Sequence, residues 1–442
     1  MRKRQVLGYY MNENRTAIAP NGINRFQVLD SNITKQWIVW ATALFFLASI
    51  FGSLMRLYYI VEIPLLEYLH LLHAHSHVAQ LGWAFLLVTL TLLILGLNST
   101  PHQKHYISVL VLNVVACFGM AATFLYQGYG ALSIGFSALH ILVSYYFAWF
   151  FWNDLKQVEV SSARSFFKGS LIWLVFSSFG LWALPVVLNT VGKSSILYYT
   201  SVQWFLHIQF NGWFTYAVIG LILLWVNRNG KHKPIPGTVL WCLHGSVLLT
   251  YALSVSWANP HPALFYLNSL GVLLQLFAVG YILWAIKDIV LNEIAKNKLS
   301  SWLIGVGLFS LILKILTQSA LVVPAVADIS HTIRNFVIGF IHLTMLGSIS
   351  LTTAGLLVRE GIFPNSTFTR LGWAGVLVAF LSTELLLFIQ GIWVWMAMGF
   401  FTYYYELILG ATILFPLSIL AVLFGFLNKK QYFLHKRKSK KL

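Results

Sequence analysis

The sequence predicts an all-α polytopic membrane protein with twelve transmembrane helices in three pseudo-repeated sets of four. Three observations carry that expectation. The 442-residue chain is 58% hydrophobic and only 9% charged, with mean hydropathy +0.76, whereas soluble domains carry about a quarter charged residues. Its apolar residues gather in twelve runs, each long enough to supply the roughly 20 residues that cross a bilayer. The motif H-x-x-x-x-G occurs three times, from His77, His207 and His342, at intervals of 130 and 135 residues.

The twelve spans are expected over residues 36–60, 68–98, 105–127, 131–153, 165–190, 196–227, 237–258, 263–288, 299–322, 331–357, 370–392 and 405–427. Residues 1–35 form a basic cytoplasmic segment, 36–427 a single membrane domain, and 428–442 a basic cytoplasmic tail. The first segment holds no short apolar stretch ending at a small-residue cleavage site, so span one serves as the insertion signal.

The net charge of +17 would suit a nucleic-acid partner until it is placed along the chain. Arg2, Lys3 and Arg4 precede span one. Lys156, Arg164 and Lys168 follow span four, and Arg228, Lys231 and Lys233 follow span six. Lys287, Lys296 and Lys298 follow span eight, Arg359 and Arg370 follow span ten, and the tail reads HKRKSKK. With alternating spans, all of these lie on one side. The positive-inside rule then puts both termini in the cytoplasm of a bacterial inner membrane, with anionic lipid as a partner and no nucleic acid. Cys117 and Cys242 fall inside spans and are expected to pack as small apolar side chains.

The three motif histidines sit on spans two, six and ten, the second helix of each set. These spans run from outside to inside, and the histidines lie about 9 to 11 residues in, roughly 14–17 Å deep. Common depth predicts one polar centre built by three related thirds. An ionisable side chain within a hydrophobic span is a functional candidate. On span two, His70, His73 and His77 share a face while His75 points roughly opposite. Thr200, Gln203, His207 and Asn211 line one face of span six; His331, Arg334, Asn335 and His342 line one face of span ten. Such stripes turn away from lipid. His140 on span four and His244 on span seven read equally as helix-bridging hydrogen-bonding groups. His102, His105, His232 and His435 are expected to be solvated. Glu384 on span eleven is the clearest buried acid, as a relay member or a structural group.

Neutral imidazole ligates haem iron and copper, and two facing helices can clamp a macrocycle by axial ligands. Arg56 at the end of span one and Arg334 at the start of span ten suit haem propionates, or snorkel at the interface. The aromatic residues, 17 Trp and 33 Phe among them, discriminate little, being ordinary in membrane proteins. No C-x-x-C-H is present, so a non-covalent, b-type haem is favoured.

Twelve spans with histidines on two, six, seven and ten resemble subunit I of the heme-copper oxidase superfamily, and HLTMLG resembles the span-ten motif of its nitric oxide reductases. The resemblance implies His77 and His342 as axial ligands of a low-spin haem, with His73 or His75 as substitutes for His77. It implies copper at His207 and His244. The chain departs from that pattern at three places. Phe340 precedes Ile341-His342 where the family carries a second histidine, His244 has no adjacent histidine, and Asn211 stands four residues after His207. The second metal site is therefore incomplete. The HAHSH of span two is also similar to NnrS-like haem- and copper-containing membrane proteins. Three functions stay open: a redox protein acting on oxygen or nitric oxide with a quinol or cytochrome donor, a haem-based gas sensor without turnover, and a histidine-relay metal or proton transporter.

Overall fold

The computed structural model describes residues 29–97, 99–158, 161–230 and 233–427; the expected tail, most of the N-terminal segment, His232 and His435 lie outside them. Among the described residues there are twelve helices long and apolar enough to cross a membrane. They are Ser31–Leu57, Tyr68–Gly96, Gln103–Gln127, Ala131–Gln157, Ser162–Thr190, Ile196–Asn229, Gly237–Ser256, Pro262–Ile294, Leu299–Ala320, Arg334–Arg359, Thr367–Trp395 and Tyr404–Leu427, spans one to twelve. Without water to bond to, a backbone in lipid must satisfy itself, and an uninterrupted helix does so.

The ends that differ from expectation have local causes. Span one starts earlier because Asp30 caps it, accepting a hydrogen bond from the Asn32 backbone N–H at 3.0 Å. Span eight outruns its apolar stretch because Glu293, near its end, is buried and held by Arg359 of span ten and by Lys296 at 2.7 Å. Span ten starts later than expected. Residues Pro324–Thr332 form a separate short helix, and Ile333 is extended between the two. His331 therefore leaves the face of His342 and stacks on Trp257, ring centroids 5.2 Å apart.

Spans two, six and ten form the interior. The most apolar windows of these three are 89%, 94% and 61% buried, against 56% or less for every other span. Spans three and four, seven and eight, and eleven and twelve pack as neighbouring pairs around them, and span one closes the wall against span twelve.

The motif has a structural counterpart in each interior helix. Just after each motif histidine the helix widens to π geometry, over Val78–Ala84, Gln209–Phe214 and Leu343–Leu351. A π turn displaces carbonyls from their usual partners, and side chains take them up. The Thr215 hydroxyl donates to Phe210 O at 2.6 Å and the Ser350 hydroxyl to Met345 O at 2.8 Å. Trp83 Nε1 donates to Ser350 Oγ at 2.7 Å, tying the π turn of span two to that of span ten.

Each motif glycine lies inside its π turn and receives the first helix of its set of four. Gly82 faces Leu44 and Cys117, Gly212 faces Trp173, and Gly347 faces Ser310 and Phe380. We read this as the local counterpart of the three-set grouping. Cys117 and Cys242 are both free, and Cys117 is buried against Gly82.

A side chain at Gly212 would place its Cβ 2.6 Å from Trp173. Gly212→Val is expected to destabilise the fold by about 1–3 kcal/mol through overpacking. Gly135→Ala, at a helical position with nothing within 4 Å, should leave stability unchanged or slightly higher. Thermal unfolding midpoints in one detergent compare the two.

Candidate functional site

The histidines of span two divide between two sides because two residues along a helix turn about 200°. His75 faces span one. Its Nδ1 lies 2.9 Å from the carbonyl oxygen of Ala48, so Nδ1–H donates there and the lone pair is on Nε2. Gly52 makes room for this ring: a Cβ there would stand 3.1 Å from His75 Cε1.

His342 of span ten lies within electrostatic range of His75 and of Arg56. His75 is seven residues in from Tyr68 and His342 eight in from Arg334. On parallel helices that sets the two imidazoles level to about one 1.5 Å residue rise. Glu384 of span eleven comes next: its Oε1 is 3.9 Å from His342 Nδ1. His342 Nδ1 and both Glu384 oxygens are buried without a hydrogen-bond partner. Buried polar groups are nearly always paired, so three orphans in one place mark a site rather than a packed core. Arg56 also acts on Glu384 and on His75. Arg334 stands at the mouth, donating to Tyr68 OH at 3.4 Å.

His75 and His342 are therefore the two imidazoles of spans two and ten that share this neighbourhood. His77, the expected partner of His342, is on the opposite side of span two. It shares its surroundings with His73 and spans three and four. Its Nδ1–H donates to His73 O at 2.8 Å, and its ring lies 4.2 Å from that of Phe124. His140 of span four is within electrostatic range of His77, pairs through Nδ1 with Asn113 Oδ1 at 2.8 Å, and is capped by Phe85. His73 meets Tyr129, ring centroids 4.5 Å apart. Burial pushes the Tyr129 phenol, in the loop between spans three and four, up to about 12, so it stays protonated at neutral pH. His70 pairs with Glu67 at 3.2 Å and lies over Gly128, whose φ of +59° admits glycine there without strain.

His207 occupies a third place. Its Nε2 lies 2.8 Å from Val247 O and its Nδ1 3.3 Å from Asn211 Nδ2, so both ring nitrogens are held by protein. Asn211 Oδ1 in turn accepts a hydrogen bond from Lys314 of span nine, a lysine with no exposed surface. His244 does not join them. It stands among Trp173, Tyr216 and Trp241, with ring centroids 5.0–5.5 Å away. A copper ligand needs a free nitrogen lone pair, so the expected pairing of His207 with His244 is not formed. Among the described residues no group of three or more His, Cys, Asp or Glu side chains is placed to hold a metal ion. The three motif histidines thus face three separate neighbourhoods rather than one centre.

Sequence reasoning missed Lys314, although one charge inside the apolar run LILKIL is a usable signal. It also missed Asp154, which is buried and accepts from Tyr106 OH at 2.6 Å and from Thr100. His102, expected in water, pairs with Asp154 at 2.8 Å, and His105 bonds Tyr146 OH at 2.6 Å and stacks on Phe150.

Asn211→Leu leaves the Lys314 amine without that acceptor and should cost about 2–3 kcal/mol. Lys314→Met in the same chain should return most of it, because replacing both partners with apolar groups is close to neutral. A double-mutant cycle on thermal stability measures the coupling. Additive effects would mean that the pair does not interact.

No family model and no curated protein matches the chain, so its functional reading rests on its own residues.

Proposed function

We propose that this chain is a haem-carrying redox protein of the membrane, in which His75 and His342 would hold the haem iron. One observation carries the reading: a half-buried His342, whose buried Nδ1 has no partner, stands level with a His75 whose Nδ1–H is already held by Ala48 O. Fixing the Nδ1 proton is how proteins orient an imidazole and present Nε2 to a metal. Arg56, within electrostatic range of both rings, would supply positive charge for carboxylate substituents of the macrocycle, and Arg334 lies at the mouth beside Tyr68. Such a haem supplies one-electron exchange when bound. His75 and His342 would hold it, with the His75 ring oriented by Ala48 O.

The His207 neighbourhood supports electron exchange over oxidase turnover. A reactive second centre would need His207 as a ligand, and its nitrogens are committed to Val247 and Asn211. Electrons would come from a quinol or a cytochrome. The basic residues Lys156, Lys168, Lys296 and Arg359 cluster at the ends of spans four, eight and ten and the start of span five. That supports a bacterial cytoplasmic membrane with those ends inside.

The stripe of His70, His73 and His77, with His140 opposite, favours a second reading as a histidine relay for protons or a metal ion. Uptake into proteoliposomes by haem-free protein would support it.

Purified after haem-replete expression, the protein should show a six-coordinate low-spin haem spectrum. His75→Ala and His342→Ala should each abolish that spectrum, while His77→Ala keeps it. The reverse pattern, His77 required and His75 dispensable, would refute the assignment.

A further inference from the structure

Two histidines at the other end of the bundle from His75 take no part in the haem reading. His102 immediately precedes span three and His105 follows three residues later, the spacing H-x-x-H. Side chains three apart on a helix are neighbours. The two ring centroids are 6.0 Å apart, with the planes at 59°. Both rings pack on Phe150 of span four, at 4.9 and 4.1 Å. Tyr146, Phe150 and Asp154 follow one another at four-residue steps, so span four meets the pair with one face. That face holds each ring by one nitrogen. His102 Nδ1 lies 2.8 Å from Asp154 Oδ1, and His105 Nδ1 lies 2.6 Å from the Tyr146 hydroxyl oxygen. Asp154 is buried and also accepts from Thr100 and Tyr106, which keeps its carboxylate behind the His102 ring. Among the described residues neither Nε2 has a hydrogen-bond partner, and both histidines are only half-buried.

We propose that His102 and His105 form an exchangeable site for a zinc ion, each giving its Nε2, with water completing the coordination shell. Zinc takes imidazole nitrogens at about 2.0–2.1 Å, which sets the centroids of two imidazoles on one ion about 5–6 Å apart. The 6.0 Å observed needs little adjustment. A ligand through Nε2 must carry its proton on Nδ1, and here each Nδ1 faces an oxygen that accepts it. A carboxylate behind a histidine is the usual outer partner of a bound metal. Asp154 also brings the negative charge that a cation needs beside a helix start. Two protein ligands are fewer than a closed structural zinc site has, so the ion would come and go. Once bound, it would make the His102 Nδ1–H a better donor to Asp154. That tightens the tie between span four and the loop after span two, which reaches Asp154 through Thr100. The site is independent of the haem reading.

The test is a zinc titration of the purified full chain, carrying no histidine tag and stripped of metal by a chelator, read by calorimetry and by thermal unfolding. Wild type should bind zinc and melt at a higher temperature in its presence. His105→Ala should lose that binding event and the thermal shift. Tyr146→Phe keeps the ring and removes only the acceptor of His105, and should weaken binding about tenfold. His73→Ala, near the opposite end of span two, should leave the event intact. Cupric ion used as a spectroscopic substitute should show paramagnetic coupling to two imidazoles in wild type and to one in His105→Ala. Should His105→Ala fail to accumulate, Tyr146→Phe decides alone. Wild type that binds no zinc, or zinc binding unchanged in the deciding variant, would overturn the site. Loss of the event in His73→Ala would place the zinc elsewhere and overturn it as well.

Discussion

An imidazole cannot face lipid cheaply, and this constraint organises the bundle. The three helices that carry the motif histidines are the three most enclosed, and the remaining nine of the described spans form the wall around them. Enclosing a helix on all sides demands close approach, which the motif glycines provide at Leu44, Trp173 and Ser310. It also re-aims side chains, and the π turns just past His77, His207 and His342 do so. The Trp83–Ser350 hydrogen bond then joins two of these turns across the interior. That fixes span two against span ten, on the same pair of helices that carry His75 and His342.

One motif thereby serves three kinds of surroundings. His342 meets a carboxylate on span eleven, His77 meets aromatic rings and a second histidine from spans three and four, and His207 meets an amide backed by a lysine. The local backbone is alike in the three, so the chemistry is set by neighbours and by the fate of each ring's Nδ1. At His75 and at His77 alike Nδ1–H goes to a carbonyl, which leaves the lone pair on Nε2. At His207 both nitrogens are used, and the ring is a structural link between spans six and seven.

The twelve spans were legible because hydropathy and helix length are local properties. So was the opposition of His75 to His70, His73 and His77, which follows from 100° per residue. The sequence did not disclose which neighbour each face meets. His77 was the expected partner of His342 by motif, but the span-two histidine within electrostatic range of His342 is His75. Equal depth of the motif histidines was read as a shared centre; helices at one depth can still turn their side chains into different gaps. The break at Ile333 was hidden because His331, Arg334, Asn335 and His342 share one face if a single helix runs through them. Lys314 and Asp154 escaped notice because each is satisfied by residues distant in sequence, Asn211 and Tyr106.

The proposed haem would be held by two imidazoles, with no open coordination position. The most direct measurement is the absorption spectrum of the purified wild-type protein, reduced and then exposed to carbon monoxide. The account predicts a low-spin haem with sharp reduced bands that carbon monoxide leaves unchanged. A spectrum without a Soret band, or reduced bands that shift on adding the gas, would contradict it.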